Sequence, residues 1–84
     1  MIILNKDLEV NTFSIVPRLY TNDDCLVKFR DELRDTIIEF TQTPTLLSDL
    51  MYFELNLVLK NGQSFEVEIK DGQTIIYKGK AIVQ

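Results

Sequence analysis

Histidine and tryptophan are absent from this 84-residue sequence, cysteine occurs once, proline twice and glycine three times. With no histidine and a single Cys25, neither an intramolecular disulfide nor a Cys/His zinc site can form. Asp23 and Asp24 flank the thiol, and carboxylates nearby raise a thiol's pKa. Cys25 therefore reads as a small buried hydrophobe rather than a reactive group. An enzyme is disfavoured, because the sequence offers no histidine, no activated nucleophile and no phosphate-cradling glycine loop. No apolar run approaches a membrane span. Met1-Ile2-Ile3-Leu4 is too short for a secretory signal and lacks a basic lead, so a soluble protein made in the cytoplasm is expected.

The length bounds the rest. Residues 1–84 are expected to form one domain, which at this size buries only about 60–65% of its unfolded surface. The formal charge of −4 is uneven. Residues 1–59 carry five basic and ten acidic side chains, whereas residues 60–84 carry four basic and three acidic ones. Scattered Lys and Arg in an acidic chain make a poor partner for nucleic acid, and the balance is read as a solubility setting.

What the chain does contain is alternation. Met51, Phe53, Leu55, Leu57 and Leu59 share one parity, as do Phe65, Val67 and Ile69, and Ile75, Tyr77, Ala81 and Val83 continue the rhythm. Period two places each set on one face of a strand, and Asn61-Gly62 and Asp71-Gly72 have hairpin-turn composition. Residues 50–84 are accordingly expected to form a three-stranded antiparallel meander. Upstream, residues 1–4 suit a short first strand. Thr12 to Val16 is β-rich and is stopped by Pro17. Residues 46–50 read as a connection carrying apolar anchors.

Residues 24–41 admit two readings. Leu26, Phe29, Leu33, Ile37 and Phe40 recur at helical spacing behind Asp23 or Asp24 as the cap. Alternatively, two strands place Val27 and Phe29, then Ile38 and Phe40, inward around a turn at Asp31 to Asp35. The strand reading gives an all-β fold, a small antiparallel β-sandwich. The helical reading gives α+β. A sandwich leaves strand edges that need protection or recruit another subunit.

Candidate chemistry is sparse. Glu66 and Glu68 share the outward face of one strand, but beside Lys60 and Lys70 they read as a solvated, ion-paired surface rather than an acid/base pair. Asn22, Asp23 and Asp24 lack calcium-loop spacing and suit a turn or cap. Asp31 and Glu32 with Arg30 and Arg34 read as a hydrated turn, or alternatively as the charged rim of a subunit contact. Tyr20, Tyr52 and Tyr77 are expected at core edges rather than as a stacking platform. Gly79 marks a bulge or a close backbone approach. No residue is nominated as catalytic, cofactor-binding or metal-ligating.

The order of several elements resembles a family. Thr12-Phe13-Ser14-Ile15-Val16-Pro17-Arg18 precedes a strand ending Arg30-Asp31-Glu32. An alternating strand and Leu59-Lys60-Asn61-Gly62 follow, then Ile75-Ile76-Tyr77-Lys78-Gly79-Lys80-Ala81-Ile82-Val83. This series resembles small virion structural proteins of tailed bacteriophages. The resemblance implies an immunoglobulin-like sandwich located in the virion, tips residues 26–41 toward strands, and makes Pro17, Arg18, Asp31, Glu32 and Gly79 fold-keeping or contact residues. It implies a non-enzymatic subunit, homo-oligomeric or lattice-bound, whose partners are other virion proteins, the major capsid protein among them. Neither nucleic acid nor membrane is an expected partner, and no cofactor is implied. Capsid decoration or cementing is the leading role, and a neck or tail component is the alternative. A small acidic inhibitor or regulator of a host protein is the alternative from another class.

Overall fold

A computed structural model describes all 84 residues as eight strands and no helix, arranged in two packed sheets. The strands are β1 (Ile2–Leu4), β2 (Asn11–Ile15), β3 (Cys25–Asp31), β4 (Ile37–Gln42), β5 (Thr45–Leu47), β6 (Leu50–Leu55), β7 (Ser64–Asp71) and β8 (Thr74–Val83). One sheet runs β1-β8-β7-β3-β4, and the other runs β2-β6-β5.

Alternation sets the faces. Val27 and Phe29 of β3, Met51, Phe53 and Leu55 of β6, and Phe65, Val67 and Ile69 of β7 all point into one core of 17 buried hydrophobic residues. All five phenylalanines join in that core or at its margin. Phe13 stacks on Phe53 within the smaller sheet and meets Phe29 edge-on across the interior, with centroids 5.8 Å apart. Phe29 in turn contacts Phe65 and Phe40. Edge-on and offset aromatic pairs add about 0.5–1.5 kcal/mol beyond their buried area. Phe13 thus makes an aromatic contact between the sheets within the larger shared core.

The helical reading of residues 24–41 is overturned. A helix would have needed Leu26, Leu33 and Ile37 inward, yet they are 37%, 91% and 49% exposed. Val27 and Phe29, the strand reading's inward pair on β3, are fully buried. The loop between β3 and β4 is built by Asp31, whose Oδ1 accepts the Leu33 and Arg34 N–H groups at 3.0 and 3.2 Å. Asp35 closes that loop with φ of 55°.

The C-terminal meander is also corrected. Only β7 and β8 form the expected hairpin. Asp71 pairs with Thr74 around Gly72-Gln73, and Gly72 alone of that loop has positive φ, as a type II′ turn requires. β6 belongs to the other sheet, between β2 and β5. The physical reason is burial: three adjacent strands sharing one apolar face would still need a cover, and placing β6 opposite β7 makes each face cover the other. Residues 56–63 make the crossing. Leu59 stays buried and Leu57 packs against the core margin, so alternation outlasts the strand itself. Asn61-Gly62 forms a turn entering β7, with the Gln63 N–H donated to the Lys60 carbonyl.

Three smaller departures follow the same logic. The sandwich is not wholly antiparallel, because β1 pairs with β8 in parallel. Residues 45–47 form β5 and turn at Ser48 (φ 56°) into β6, rather than being a bare connection. The irregularity in β8 lies opposite Ile69 and Lys70, not at Gly79. It gives β8 an extra residue, Ile76, which is buried, and the Ile76 carbonyl accepts the Arg18 N–H at 2.7 Å.

Candidate functional site

The outer face of the five-stranded sheet carries the nominated carboxylates. Strand register places Lys78, Glu68, Lys28 and Glu39 side by side across four strands, and Lys80, Glu66 and Arg30 in the row beside them. Arg30 donates to Glu66 at 2.5 Å and to Asp35 at 3.0 Å, and these bonds hold its guanidinium above its ordinary pKa. Lys70 sits 3.6 Å from Glu68, and Lys80 lies 3.4 Å from Glu32. A shallow groove of about 350 Å³ runs between these side chains. Glu66 and Glu68 thus belong to a ladder of alternating sign on an open surface, held by ion pairs to Arg30 and Lys70.

Other nominated residues serve structure. Cys25 is fully buried, and burial, followed by the Asp71, Asp23 and Asp24 carboxylates, pushes its thiol up to about 11. Asp24 accepts a hydrogen bond from the Thr43 hydroxyl, tying the loop before β3 to the end of β4. Asp31 is buried, which alone would raise its pKa. The Arg34 and Leu33 N–H groups, the Gln63 amide and the Arg34 charge outweigh burial and hold the carboxyl below its ordinary value. Glu32, by contrast, is exposed, so the acidic pair divides between turn-building and surface. Tyr20 donates its hydroxyl to the Asp49 carbonyl at 2.6 Å and latches the β5–β6 turn. Tyr77 packs at the core margin, where burial raises its pKa. A methyl group on Gly79 would lie 2.8 Å from Tyr77 Cζ, so the close approach is real and is made by that ring. Pro17 is buried and Arg18 exposed. No group of three or more Cys, Asp or Glu side chains converges to hold a metal ion.

Two further side-chain clips were not foreseen from the sequence, and both use amides. Asn11 is buried and clips the preceding loop: its Oδ1 accepts the Asn5 N–H at 2.8 Å, and its Nδ2 donates to the Asn5 carbonyl at 3.1 Å. Gln42, at the end of β4, treats β6 the same way. Its Nε2 donates to the Glu54 carbonyl at 3.0 Å, and its Oε1 accepts the Glu54 N–H at 2.6 Å. β5 pairs with β6 only as far as Thr45 opposite Tyr52. The Gln42 amide therefore stands where the next peptide of β5 would have been. Parity was the available signal, since Asn11 shares it with Phe13 and Ile15, and Gln42 with Ile38 and Phe40.

Beside Gln42 the sandwich is open. β4 pairs with β3 alone and forms the sheet's edge. The Asp31 N–H donates to the Thr36 carbonyl at 2.8 Å, which fixes the phase of the antiparallel ladder. Even-numbered residues of β4 bond to β3, leaving the N–H and C=O groups of Ile37, Glu39 and Thr41 directed outward. Under this edge lies a groove of about 430 Å³ lined by Val10, Ile38, Phe40, Leu55 and Leu57 and by four polar residues, Gln42 and Glu54 among them. The smaller sheet leaves this inner side of β4 partly uncovered, and Ile38 and Phe40 are only half-buried. Chemically, the site offers backbone donors and acceptors above a trough that is apolar where Ile38 and Phe40 line it and polar beside Gln42 and Glu54, which suits another polypeptide.

Compared with protein-family models, with curated proteins and with solved structures, the chain matches none.

Proposed function

We propose that this protein is a non-enzymatic structural subunit of a tailed-bacteriophage particle, acting by protein–protein contacts. The observation that carries the reading is the open β4 edge above its partly apolar groove, a surface suited to neighbouring polypeptide. The virion assignment itself rests on the sequence resemblance. The finer fold assignment, an immunoglobulin-like sandwich, is part of the same proposal and draws support from strand order. β2-β6-β5 corresponds to strands B, E and D of that arrangement, and β8-β7-β3-β4 to G, F, C and C′. The crossing of residues 56–63 is then the E–F connection between sheets. The Phe13, Phe29, Phe53 and Phe65 cluster occupies the interior that antibody domains fill with an inter-sheet disulfide and a tryptophan.

Within the particle, decoration or cementing of the capsid is the role we favour. A small domain present in many copies gains avidity from many weak contacts. Quantitative mass spectrometry of purified particles tests the reading. A copy number equal to that of the major capsid protein, or a simple fraction of it, is the expected result. A far smaller ratio moves the protein to the neck or tail. Absence from particles, with abundance in infected cells, refutes the structural role.

A further inference from the structure

We infer that β4 is a strand-addition site for an extended segment of another protein in which a lysine or arginine is flanked on both sides by apolar residues. The inference rests on the reading of this chain as a partner-binding subunit and specifies the partner's chemistry.

The backbone comes first. Ile37, Glu39 and Thr41 direct unpaired N–H and C=O groups away from β3, and the one edge protection that β4 carries is the charge of Glu39, which a cationic partner neutralises. The strand has no proline, no lysine and no bulge.

The two faces then dictate the partner's side chains, because successive residues of an added strand point to opposite sides. On the inner side they enter the groove against Ile38, Phe40, Leu55 and Leu57, which selects apolar residues. On the outer side they extend the row Lys78, Glu68, Lys28, Glu39. That row alternates in sign across four strands and ends on Glu39, which has no ion-pair partner within 4.0 Å. Its next member is a cation.

The same features argue against a second copy of this chain. β4 reads Ile-Ile-Glu-Phe-Thr-Gln, so no register of β4 on β4 brings a cation to Glu39. Pairing centred on Glu39 opposes two carboxylates.

The test uses the full chain, isotope-labelled, titrated with the capped synthetic peptide Thr-Val-Thr-Val-Lys-Val-Thr-Val-Thr and followed by amide NMR. The expected result is shift changes and slowed exchange at the amides of Ile37, Glu39 and Thr41. Replacing the peptide lysine with glutamate, or making Glu39→Lys, weakens binding roughly three- to tenfold, and combining the two changes restores it. Thr41→Pro removes an outward N–H without deleting a β3–β4 bond and abolishes the effect. The inference is overturned if the β4 amides stay unchanged at about 1 mM peptide, a concentration that reveals even millimolar binding. It is equally overturned if binding ignores the charge at position 39, or if the free chain instead dimerises through β4. Because the purified chain is titrated, a negative result leaves particle membership untouched, and absence from particles would not alter the β4 amides.

Discussion

Replacing Gln42 with methionine keeps the length of the side chain and deletes both of its hydrogen bonds to β6. In the native protein its amide closes a two-bond ring with the Glu54 backbone at 2.6 and 3.0 Å. Each such bond contributes about 0.5–1.5 kcal/mol net. Glu54 is exposed, so water re-solvates its N–H and C=O after the substitution and the loss falls toward the lower end. We expect about 1–2 kcal/mol in total. In a domain of this size each kcal/mol moves the midpoint by about 4–8 °C, giving a fall of roughly 4–16 °C. Thermal unfolding followed by circular dichroism measures it, and hydrogen exchange at the Glu54 amide reads the lost bond directly. Gln42→Glu separates the two bonds, since a carboxylate still accepts the Glu54 N–H but sets an oxygen against the Glu54 carbonyl. A Gln42→Met midpoint within about 2 °C of the parent, with Glu54 exchange unchanged, would refute the idea that this amide substitutes for a strand.

Val67→Asp should prevent folding by burying an unpaired charge, whereas Glu66→Gln should cost at most about 1 kcal/mol because its Arg30 pair is exposed; urea titration of both compares them. Cys25 should resist thiol reagents in the folded protein and react once urea unfolds it, because it is fully buried and its thiol is pushed up to about 11. The same shift ties stability to pH. The unfolded thiol ionises near its ordinary 9.0 while the folded one stays protonated, so stability is full below pH 9.0, falls as pH approaches about 11, and Cys25→Ala removes that component. For Asp31 the sign is opposite: its folded pKa is depressed below 3.8, so its contribution is complete above that value and fades as pH falls through the folded pKa, a slope that Asp31→Asn should abolish in acid titrations. Gly79→Ala should change stability by less than about 1 kcal/mol in thermal unfolding, because the tip of the Tyr77 ring swings aside and alanine has less backbone entropy to lose than glycine, and in a Tyr77→Ala background the same change should stabilise.

Much of the fold was legible because facing is a local property. The alternation of β6 and β7 put Met51, Phe53, Leu55, Phe65, Val67 and Ile69 inward, and every one is buried. Within residues 24–41, Val27 and Phe29 identified β3 once strands were assumed, whereas Phe29 and Phe40 served the helical and strand patterns equally and could not decide between them. Pairing is non-local, and there the sequence was silent. Met51 to Leu59 keeps one parity straight through the end of β6, so nothing in the pattern announced that the chain leaves one sheet for the other. The turn at Asn61-Gly62 is real, but a turn's composition does not name the strands it joins. The candidate site was hidden for the same reason. Glu66 was visible as an outward carboxylate, while its Arg30 partner comes from β3, thirty-six positions away. Ile38 and Phe40 read as core residues, and only the smaller sheet's limited reach leaves them half-covered.

That limited reach links stability to function. A three-stranded sheet cannot cover a five-stranded one, so β4 projects beyond its cover and Gln42 must cross the gap to Glu54 with a side chain rather than a strand. If β5 were longer, it would pair with β6 at Glu54, displace the Gln42 amide and move cover toward Phe40. The short β5 thus leaves in one place an amide clip, a partly apolar trough and an unpaired edge. The clip fixes the end of β4 against β6, and both of its residues line the trough. Gln42→Met should therefore weaken peptide pairing at Ile37, Glu39 and Thr41 as well as lower the unfolding midpoint. A variant destabilised to a comparable degree at a distance, such as Ile2→Val on β1 at the opposite edge of the sheet, should leave that pairing intact. Equal weakening by both substitutions would separate the clip from the edge and reduce Gln42 to a purely structural residue.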